Sequence, residues 1–107
     1  MNRVAVTGLG LVCALGNNVA ECWEKLAAGV CGIRPLDDPG SPPYKFARGA
    51  QATTFEPLDY FSEKDLLLLE RFAQLAAVAA REAVAQSGLT FTSDLADRSA
   101  VITLRSG

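Results

Sequence analysis

The chain has 107 residues, with 10 Lys+Arg, 12 Asp+Glu, three cysteines and no histidine, and its formal net charge is −2 at pH 7. This balance lacks the basic character of nucleic-acid-binding proteins. The lack of histidine excludes catalytic triads and dyads that need an imidazole base, and zinc sites with histidine ligands. A content of 50% hydrophobic and 21% charged residues is typical of a soluble, globular chain of one small domain.

The three cysteines, Cys13, Cys22 and Cys31, follow one another at intervals of nine residues. An odd number cannot form a closed set of disulfides, and none of the intervals has the short spacing of a metal site. We therefore expect reduced thiols and a cytoplasmic protein. The alternative is secretion, because Arg3 and the apolar residues after it loosely resemble a signal peptide, although glycines and a threonine interrupt them. No membrane-spanning segment is predicted.

The first predicted element is a strand at residues 3–7 (RVAVT), a β-branched and nearly continuous apolar run that suits a strand buried on both faces. Gly8 and Gly10 end it. A helix is predicted over residues 18–28, with Asn18 as its cap and Gly29 as its stop. Its apolar residues fall at helical spacing on one face: Val19, Cys22, Trp23 and Leu26.

Residues 30–60 are predicted to be a loop, because four of the five prolines fall within residues 35–43 among aspartate, glycine and serine. A short strand somewhere in residues 46–55 is a weaker prediction. A connection of this length is unusual inside a compact domain and normally packs against something.

The strongest local pattern predicts one long helix over residues 62–87, with Ser62 as its cap and Ser87 and Gly88 as its end. At 100° per residue one face is apolar and rich in alanine, and a narrower strip is polar. The apolar face contains Leu69, Phe72, Ala73, Ala76, Ala79, Ala80 and Ala83, and the polar strip contains Glu70, Gln74 and Arg81. Leu67, Leu75, Val78 and Ala85 extend the apolar surface, so we expect burial on more than one side. Replacing Ala76 or Ala80 by leucine should then overpack the protein.

After a predicted loop at residues 89–97, residues 99–104 (SAVITL) read as a second buried strand. Two or three strands and two helices cannot cover their own apolar faces. The sequence therefore predicts that residues 1–107 alone are unstable or associate, and it disfavours a stand-alone binding domain.

Residues 7–13 (TGLGLVC) contain the one glycine motif of the chain. A dinucleotide-binding fingerprint would place a glycine or alanine where Cys13 stands, and would start a helix there. We therefore favour a tight turn that lets the chain pass close to a neighbouring strand. Cys13 is interpreted as a buried structural thiol and Cys22 as a packing residue, because the chain has no histidine and no lysine nearer in sequence than Lys25 to lower the pKa of Cys13.

Several short motifs of the chain also occur together, and in this order, in one family. They are VAVTGLG at residues 4–10, ALGN at 14–17, Trp23, GVCGI at 29–33, RFAQ at 71–74 and SGL at 87–89. In these residues the chain resembles the N-terminus of the elongating, type II β-ketoacyl-acyl carrier protein synthases, over essentially its whole length.

The resemblance implies an α/β, thiolase-like fold of layered αβαβα architecture, of which this chain supplies the first part of the N-terminal half. It implies decarboxylative Claisen condensation of an acyl thioester with malonyl-acyl carrier protein, in fatty-acid or polyketide synthesis. Acyl carrier protein is the implied partner, a homodimer or heterodimer is the implied assembly, and no metal or organic cofactor is implied. The family's nucleophilic cysteine and two histidines lie downstream of these residues, so no catalytic, cofactor-binding or metal-binding residue is assigned here.

The chain departs from the family at its end, where ITLRSG at residues 102–107 replaces a glycine-rich segment near the acyl pocket, and at Cys13 and Cys31, where serine is usual. Two interpretations remain open. The first is the structural N-terminal segment of a condensing enzyme, inactive by itself. The alternative is a non-catalytic subunit or fragment that pairs with a catalytic synthase.

Overall fold

The computed structural model describes residues 1–36 and 45–104. Most of the proline-rich part of the predicted loop, and the last three residues of the altered terminus, lie outside the described residues. In chain order the elements are helix α1 (Val19–Ala27), strands β1 (Arg34–Pro35) and β2 (Arg48–Gly49), a 3-10 turn (Pro57–Asp59), and helices α2 (Glu63–Leu66), α3 (Arg71–Ser87) and α4 (Ser93–Asp97).

Helix α1 begins and ends where its capping residues predict. The Asn18 side chain accepts a hydrogen bond from the Glu21 N–H. At the other end Gly29 adopts a φ of 75°, and the N–H groups of Gly29 and Val30 donate to the carbonyls of Leu26 and Lys25. This is the Schellman arrangement, in which a left-handed glycine lets two otherwise unpaired helix carbonyls accept hydrogen bonds.

The predicted apolar face of α1 is only partly covered. Cys22 is buried, with 3% of its surface exposed, which agrees with a packing position. Trp23 and Leu26 remain 67% and 59% exposed. The described residues therefore leave the C-terminal half of this face open.

The predicted loop at residues 30–60 is not wholly irregular. Strands β1 and β2 pair antiparallel, with Arg34 opposite Gly49 and Pro35 opposite Arg48, and the Leu36 N–H donates to the Ala47 carbonyl. The strand predicted within residues 46–55 thus shrinks to two residues. Pro35 has no N–H to extend a ladder, which is consistent with so short a pairing.

The single helix predicted over residues 62–87 is wrong, because the structure breaks it into α2 and α3. Ser62 caps α2 by accepting from the Asp65 N–H, as predicted, and Gly88 ends α3 with a φ of 68°. Between the helices Glu70 is extended, with a ψ of 160°. The Gln74 side chain donates to the Leu69 carbonyl, and so supplies a hydrogen bond to a carbonyl that lies outside both helices. The break lets both Leu66 and Leu69 pack on the core.

The face of α3 that packs inward also differs from the prediction. Val78 and Gln74 are its buried residues, whereas Ala76 and Ala80 are exposed. Gln74 was predicted to belong to the narrow polar strip. It is buried because the segment before α3 turns back over that side of the helix. Within the described residues, the core covers the Gln74 and Val78 side of α3, whereas the side that contains Ala76 and Ala80 is open.

The core is small and centres on Phe55, Phe61 and Val78. Two arginines of α3 hold the loop before α2 against it. Arg71 lies 4.8 Å from the centre of the Phe55 ring and donates to the Ala52 carbonyl, and Arg81 lies 4.6 Å from the centre of the Phe61 ring and donates to the Tyr60 carbonyl. The long loop therefore does pack against something, namely α3.

Helix α4 lies in residues 89–97, which were predicted to be a loop. The Thr92 side chain accepts from the Leu95 N–H, and Asp94 forms an ion pair with Arg98 at 2.8 Å. These local interactions allow one helical turn and a half without a buried face. The residues of α4 are nearly all exposed.

The strands predicted at residues 3–7 and 99–104 do not form among the described residues. A strand exists only beside a hydrogen-bonded neighbour, and among the described residues neither segment pairs with another strand. The Ser99 N–H donates only to the Ala96 carbonyl, in the turn that ends α4. Their apolar side chains are open, with Val4 and Val101 each 92% exposed. The described residues thus form a small mixed helix–strand unit rather than the layered architecture. The radius of gyration, 16.7 Å, exceeds the roughly 13 Å of a compact domain of this length.

Candidate functional site

The glycine turn lies directly on helix α3. A Cβ atom added at Gly8 would stand 1.9 Å from the Ala83 carbonyl oxygen, and one added at Gly10 would stand 1.7 Å from the Ala79 carbonyl oxygen. Neither glycine has a positive φ. Both are therefore required for space and not for an unusual backbone conformation. The close approach was predicted, but the neighbour is the backbone of a helix and not a strand.

Two side chains of α3 hold this turn by hydrogen bonds. The Gln86 Oε1 atom accepts from the Leu9 N–H, and the Glu82 Oε2 atom accepts from the Leu11 N–H at 3.1 Å. The second oxygen of Glu82, Oε1, accepts from the N–H of Val19 at 2.9 Å. Val19 is the first residue of α1, so one carboxylate joins the glycine turn, α1 and α3.

This arrangement argues against phosphate binding at the turn. A dinucleotide site needs backbone N–H groups that point at the pyrophosphate, followed by an open helix N-terminus. Here the Leu9 and Leu11 N–H groups are paired with Gln86 and Glu82. At the N-terminus of α1, carboxylate or amide oxygens of this chain take the N–H groups of residues 17, 19 and 21. A bound anion would meet the negative charges of Glu82 and Glu21.

Glu82 and Gln86 were not among the residues for which the sequence predicted a role. The sequence feature that could have indicated them is their spacing. They are four residues apart, and each follows by three residues an alanine that contacts a glycine of the turn, Ala79 or Ala83. In a helix this spacing places both polar groups on the flank of the alanine contact. Their partners are 71 and 77 residues away in the chain, so the pairing itself required the structure.

A cleft of about 330 Å³ opens beside the Glu82 carboxylate. Its lining combines the start of α1, the end of the 3-10 turn and the middle of α3, through Asn17, Asn18, Tyr60, Val78, Arg81 and Glu82. Its charged groups are already engaged, because Arg81 donates to the Tyr60 carbonyl and Glu82 accepts two backbone N–H groups. We therefore interpret Arg81 and Glu82 as groups that stabilise the fold by hydrogen bonds, and not as a general acid or base.

The three thiols have different surroundings. The Sγ atoms of Cys13 and Cys22 lie 3.4 Å apart, and Cys31 is exposed. Burial raises the pKa of Cys22 to about 11, and its hydrogen bond to Cys13 acts in the same direction. For Cys13 burial also acts upward, but hydrogen bonds from the Leu15 N–H and from Cys22 outweigh it, so the pKa of Cys13 is lowered. The prediction that nothing local lowers the pKa of Cys13 was wrong, because the Leu15 N–H, two residues along the chain, donates to its sulfur.

Among residues 1–36 and 45–104, no three His, Cys, Asp or Glu side chains lie close enough together to hold a metal ion. None of the helices in this described part of the chain has the length and hydrophobicity needed to cross a bilayer.

Comparison with known proteins gives a consistent result. Residues 1–104 match the family described as Beta-ketoacyl synthase, N-terminal domain. The 3-oxoacyl-[acyl-carrier-protein] synthase 2 of Staphylococcus aureus strain COL is 35% identical over 96 residues, which is 90% of this chain and 23% of that protein. The protein of the same description from Coxiella burnetii is 37% identical over 98 residues, again 90% of this chain and 23% of that protein.

The chain thus spans about a quarter of the length of the curated relatives it matches, 23% in both cases. The family match, in contrast, extends from the first residue to residue 104. It includes the glycine turn, the capped helix α1 and the alanine-rich helix α3, the three features that the Glu82 carboxylate and the two close glycine contacts join. The chain belongs to the β-ketoacyl synthase family and corresponds to the N-terminal part of its N-terminal domain.

Proposed function

We propose that this chain is the N-terminal segment of a 3-oxoacyl-acyl carrier protein synthase of fatty-acid synthesis. The complete protein would condense an acyl thioester with malonyl-acyl carrier protein and release carbon dioxide. Support comes from the family match over residues 1–104 and from two relatives with this activity in their names, at 35% and 37% identity. A cytoplasmic location accords with the reduced thiols expected from the sequence.

Within that protein the role of this chain in the condensation is to position other parts of the fold, and it supplies no group that takes part in the condensation itself. The observation that supports this role is the use of its polar groups. Glu82 uses both of its carboxylate oxygens as hydrogen-bond acceptors, one for the Leu11 N–H and one for the Val19 N–H. These bonds join α3 to the glycine turn and to α1. The chain has no histidine. The proposal therefore assigns the acyl-carrying thiolate and the imidazoles that stabilise the developing oxyanion to other parts of the protein.

We further propose that residues 3–7 and 99–104 become strands of the layered sheet once neighbours are present. Their exposed apolar side chains, among them Val4, Val101 and Ile102, support this. Continuous apolar strands of this kind are stable only when both faces are covered. The same reasoning favours a homodimer or heterodimer of the complete protein.

A chimeric enzyme tests the proposal directly. Residues 1–104 of this chain replace the matched N-terminal segment of the S. aureus 3-oxoacyl-[acyl-carrier-protein] synthase 2, and formation of 3-oxoacyl-acyl carrier protein is followed by mass spectrometry. We expect condensation to be retained, because the segment supplies a scaffold and the partner segment supplies the chemistry. The 107-residue chain alone is the control and should show no condensation above background.

Three results would contradict the proposal. Condensation by the 107-residue chain alone would show that it holds its own active site. A chimera that folds, forms the same assembly as the parent enzyme and yet is inactive would show that this segment does not fit a catalytic synthase. A natural continuation of this chain without a nucleophilic cysteine would favour the non-catalytic partner subunit.

A further inference from the structure

Two cysteines that are nine residues apart in sequence meet at one point of the fold. The backbone groups of Cys13 and Gly16 pair with each other, N–H to carbonyl in both directions, at 3.0 and 3.2 Å. This closed turn reverses the chain immediately before α1. Cys22 lies in α1, and its N–H donates to the Asn18 carbonyl. The turn and the helix together place the two Sγ atoms 3.4 Å apart.

The two thiols are not equivalent. Cys22 is buried, whereas Cys13 is only partly buried, so a small reagent reaches Cys13 first. The Leu15 N–H lies 3.4 Å from the Cys13 sulfur and donates toward it, which stabilises a thiolate there. The pKa values agree with this asymmetry, since that of Cys13 is lowered and that of Cys22 is raised to about 11. Cys13 thus has the surroundings of an attacking thiol, and Cys22 those of a resolving one.

We propose that Cys13 and Cys22 form a redox-sensitive pair that a peroxide converts reversibly into an intrachain disulfide. The Cys13 thiolate attacks one oxygen of hydrogen peroxide, the O–O bond breaks, and Cys13 becomes a sulfenic acid while the leaving hydroxide takes a proton to give water. The Cys22 sulfur then attacks the Cys13 sulfur and loses its proton. The S–O bond breaks, and a second water leaves. Two thiols are oxidised by two electrons, and one peroxide is reduced to two waters.

The geometry favours a disulfide between Cys13 and Cys22 over a disulfide that involves Cys31. A disulfide needs the sulfurs about 2.0 Å apart, and side-chain rotation toward that distance starts here from 3.4 Å. Cys31 is exposed, and it is Cys13 and Cys22 that the fold brings together. The bond would tie the end of the glycine turn to α1. Neither the geometry nor the chemistry of the pair depends on the proposed condensation.

Peptide mapping of the protein that contains these residues tests the pair. Trypsin cuts after Arg3 and Lys25, so Cys13 and Cys22 fall in one peptide, residues 4–25, and Cys31 falls in another. The folded protein receives one equivalent of hydrogen peroxide, is alkylated with iodoacetamide after denaturation, and is digested without reductant. We expect peptide 4–25 to become lighter by two hydrogen atoms and to carry no alkyl group, while Cys31 is alkylated. Added dithiothreitol should restore two alkylatable thiols.

Variants separate the two roles. In Cys22→Ser the sulfenic acid has no resolving thiol, so dimedone should label Cys13. Cys31→Ser is the matched control and should leave the intrachain disulfide unchanged. Protein unfolded in urea before oxidation should lose the preference for the pair, because the preference comes from the fold.

The proposal is overturned if one equivalent of peroxide leaves both thiols of peptide 4–25 alkylatable while Cys31 is consumed, or if the oxidised protein is linked between chains through Cys31. It is also overturned if the unfolded protein forms the Cys13–Cys22 bond as readily as the folded one. The wild-type map gives these answers even where a variant fails to fold.

Discussion

Gly10 lies so close to Ala79 that an added Cβ atom would stand 1.7 Å from the Ala79 carbonyl oxygen. No real Cβ atom tolerates such a contact with backbone. This pair, together with Gly8 and Ala83 one helical turn further on, brings the N-terminal segment of the chain into direct contact with helix α3. The contact depends on the missing side chain of the glycine and the small one of the alanine.

Gly10→Ala should therefore destabilise the protein strongly. Overpacking typically costs about 1–3 kcal/mol, and we expect the upper end because the opposing atoms are helix backbone that cannot rotate away. Gly29→Ala is the matched control. Gly29 has a φ of 75° and nothing within 4 Å of an added Cβ, so only backbone strain of about 1–2 kcal/mol applies. Urea unfolding of both variants measures the difference, and equal costs would mean that the Gly10 contact is not present.

Glu82→Ala should lower the free energy of unfolding by about 1–3 kcal/mol, since a typical intramolecular hydrogen bond contributes about 0.5–1.5 kcal/mol and Glu82 accepts two, of which the bond from Leu11 is exposed. Glu82→Gln should cost less, because its one carbonyl oxygen still accepts one of the N–H groups. Glu24→Gln, an exposed change on α1, should stay within about 0.5 kcal/mol of the parent. Identical stabilities for the Gln and Ala variants of Glu82 would contradict the two-bond arrangement.

Alanines on two sides of α3 should respond differently to enlargement. Ala79 contacts Gly10 and is half-buried, whereas Ala80 is exposed among the described residues. In the 107-residue chain we expect Ala79→Leu to lower the helix content by overpacking the contact with Gly10, and Ala80→Leu to leave the helix content nearly unchanged. Far-UV circular dichroism of the two variants and the parent chain decides. A large effect of Ala80→Leu would mean that Ala80 is buried, as the sequence pattern predicted, and would contradict its exposed position in the structure.

The rate of alkylation by iodoacetamide should increase with pH for both thiols, and the increase should occur at a lower pH for Cys13 than for Cys22. The thiolate is the reacting form, so the lowered pKa of Cys13 moves its reaction midpoint below the ordinary value of 9.0, while the pKa of Cys22, about 11, keeps that thiol protonated. Cys22→Ala removes a hydrogen-bond donor to Cys13 and should move the Cys13 midpoint upward. Rates measured by peptide mass spectrometry across pH 6–10 test this, and a downward movement in Cys22→Ala would contradict it.

Trp23 reports on whether the open face of α1 is covered. It is the one tryptophan of the chain and is 67% exposed. For the 107-residue chain we expect heterogeneous mass in light scattering and no sharp thermal transition by circular dichroism, because only a few apolar residues are buried. Tryptophan fluorescence in the chain alone should resemble that of the unfolded protein, with emission shifting to the blue on association. A monodisperse monomer with a cooperative melt would contradict this.

Local chemistry was sufficient to predict both ends of α1, the start of α2 and the end of α3. Asn18, Ser62, Gly29 and Gly88 act on N–H and carbonyl groups within a few residues of themselves, so their effect is readable before any tertiary contact is known. The glycines of the turn, Gly8 and Gly10, are different: a close approach was predicted from the sequence, but the backbone they approach belongs to α3 and not to a strand. The family, too, follows from these short motifs in their order along the chain.

The tertiary structure decided what depends on the path of the chain. The break between α2 and α3 has no breaker residue, and it arises where Leu66, at the end of α2, and Leu69, within the break, both pack on the core. The Glu82 carboxylate accepts from the Leu11 N–H, 71 residues away in the chain. The sulfurs of Cys13 and Cys22 lie close together because the turn at residues 13–16 reverses the chain before α1. Residues 3–7 and 99–104 have the composition of strands, yet a strand requires a neighbour to accept its hydrogen bonds, and composition alone cannot supply one.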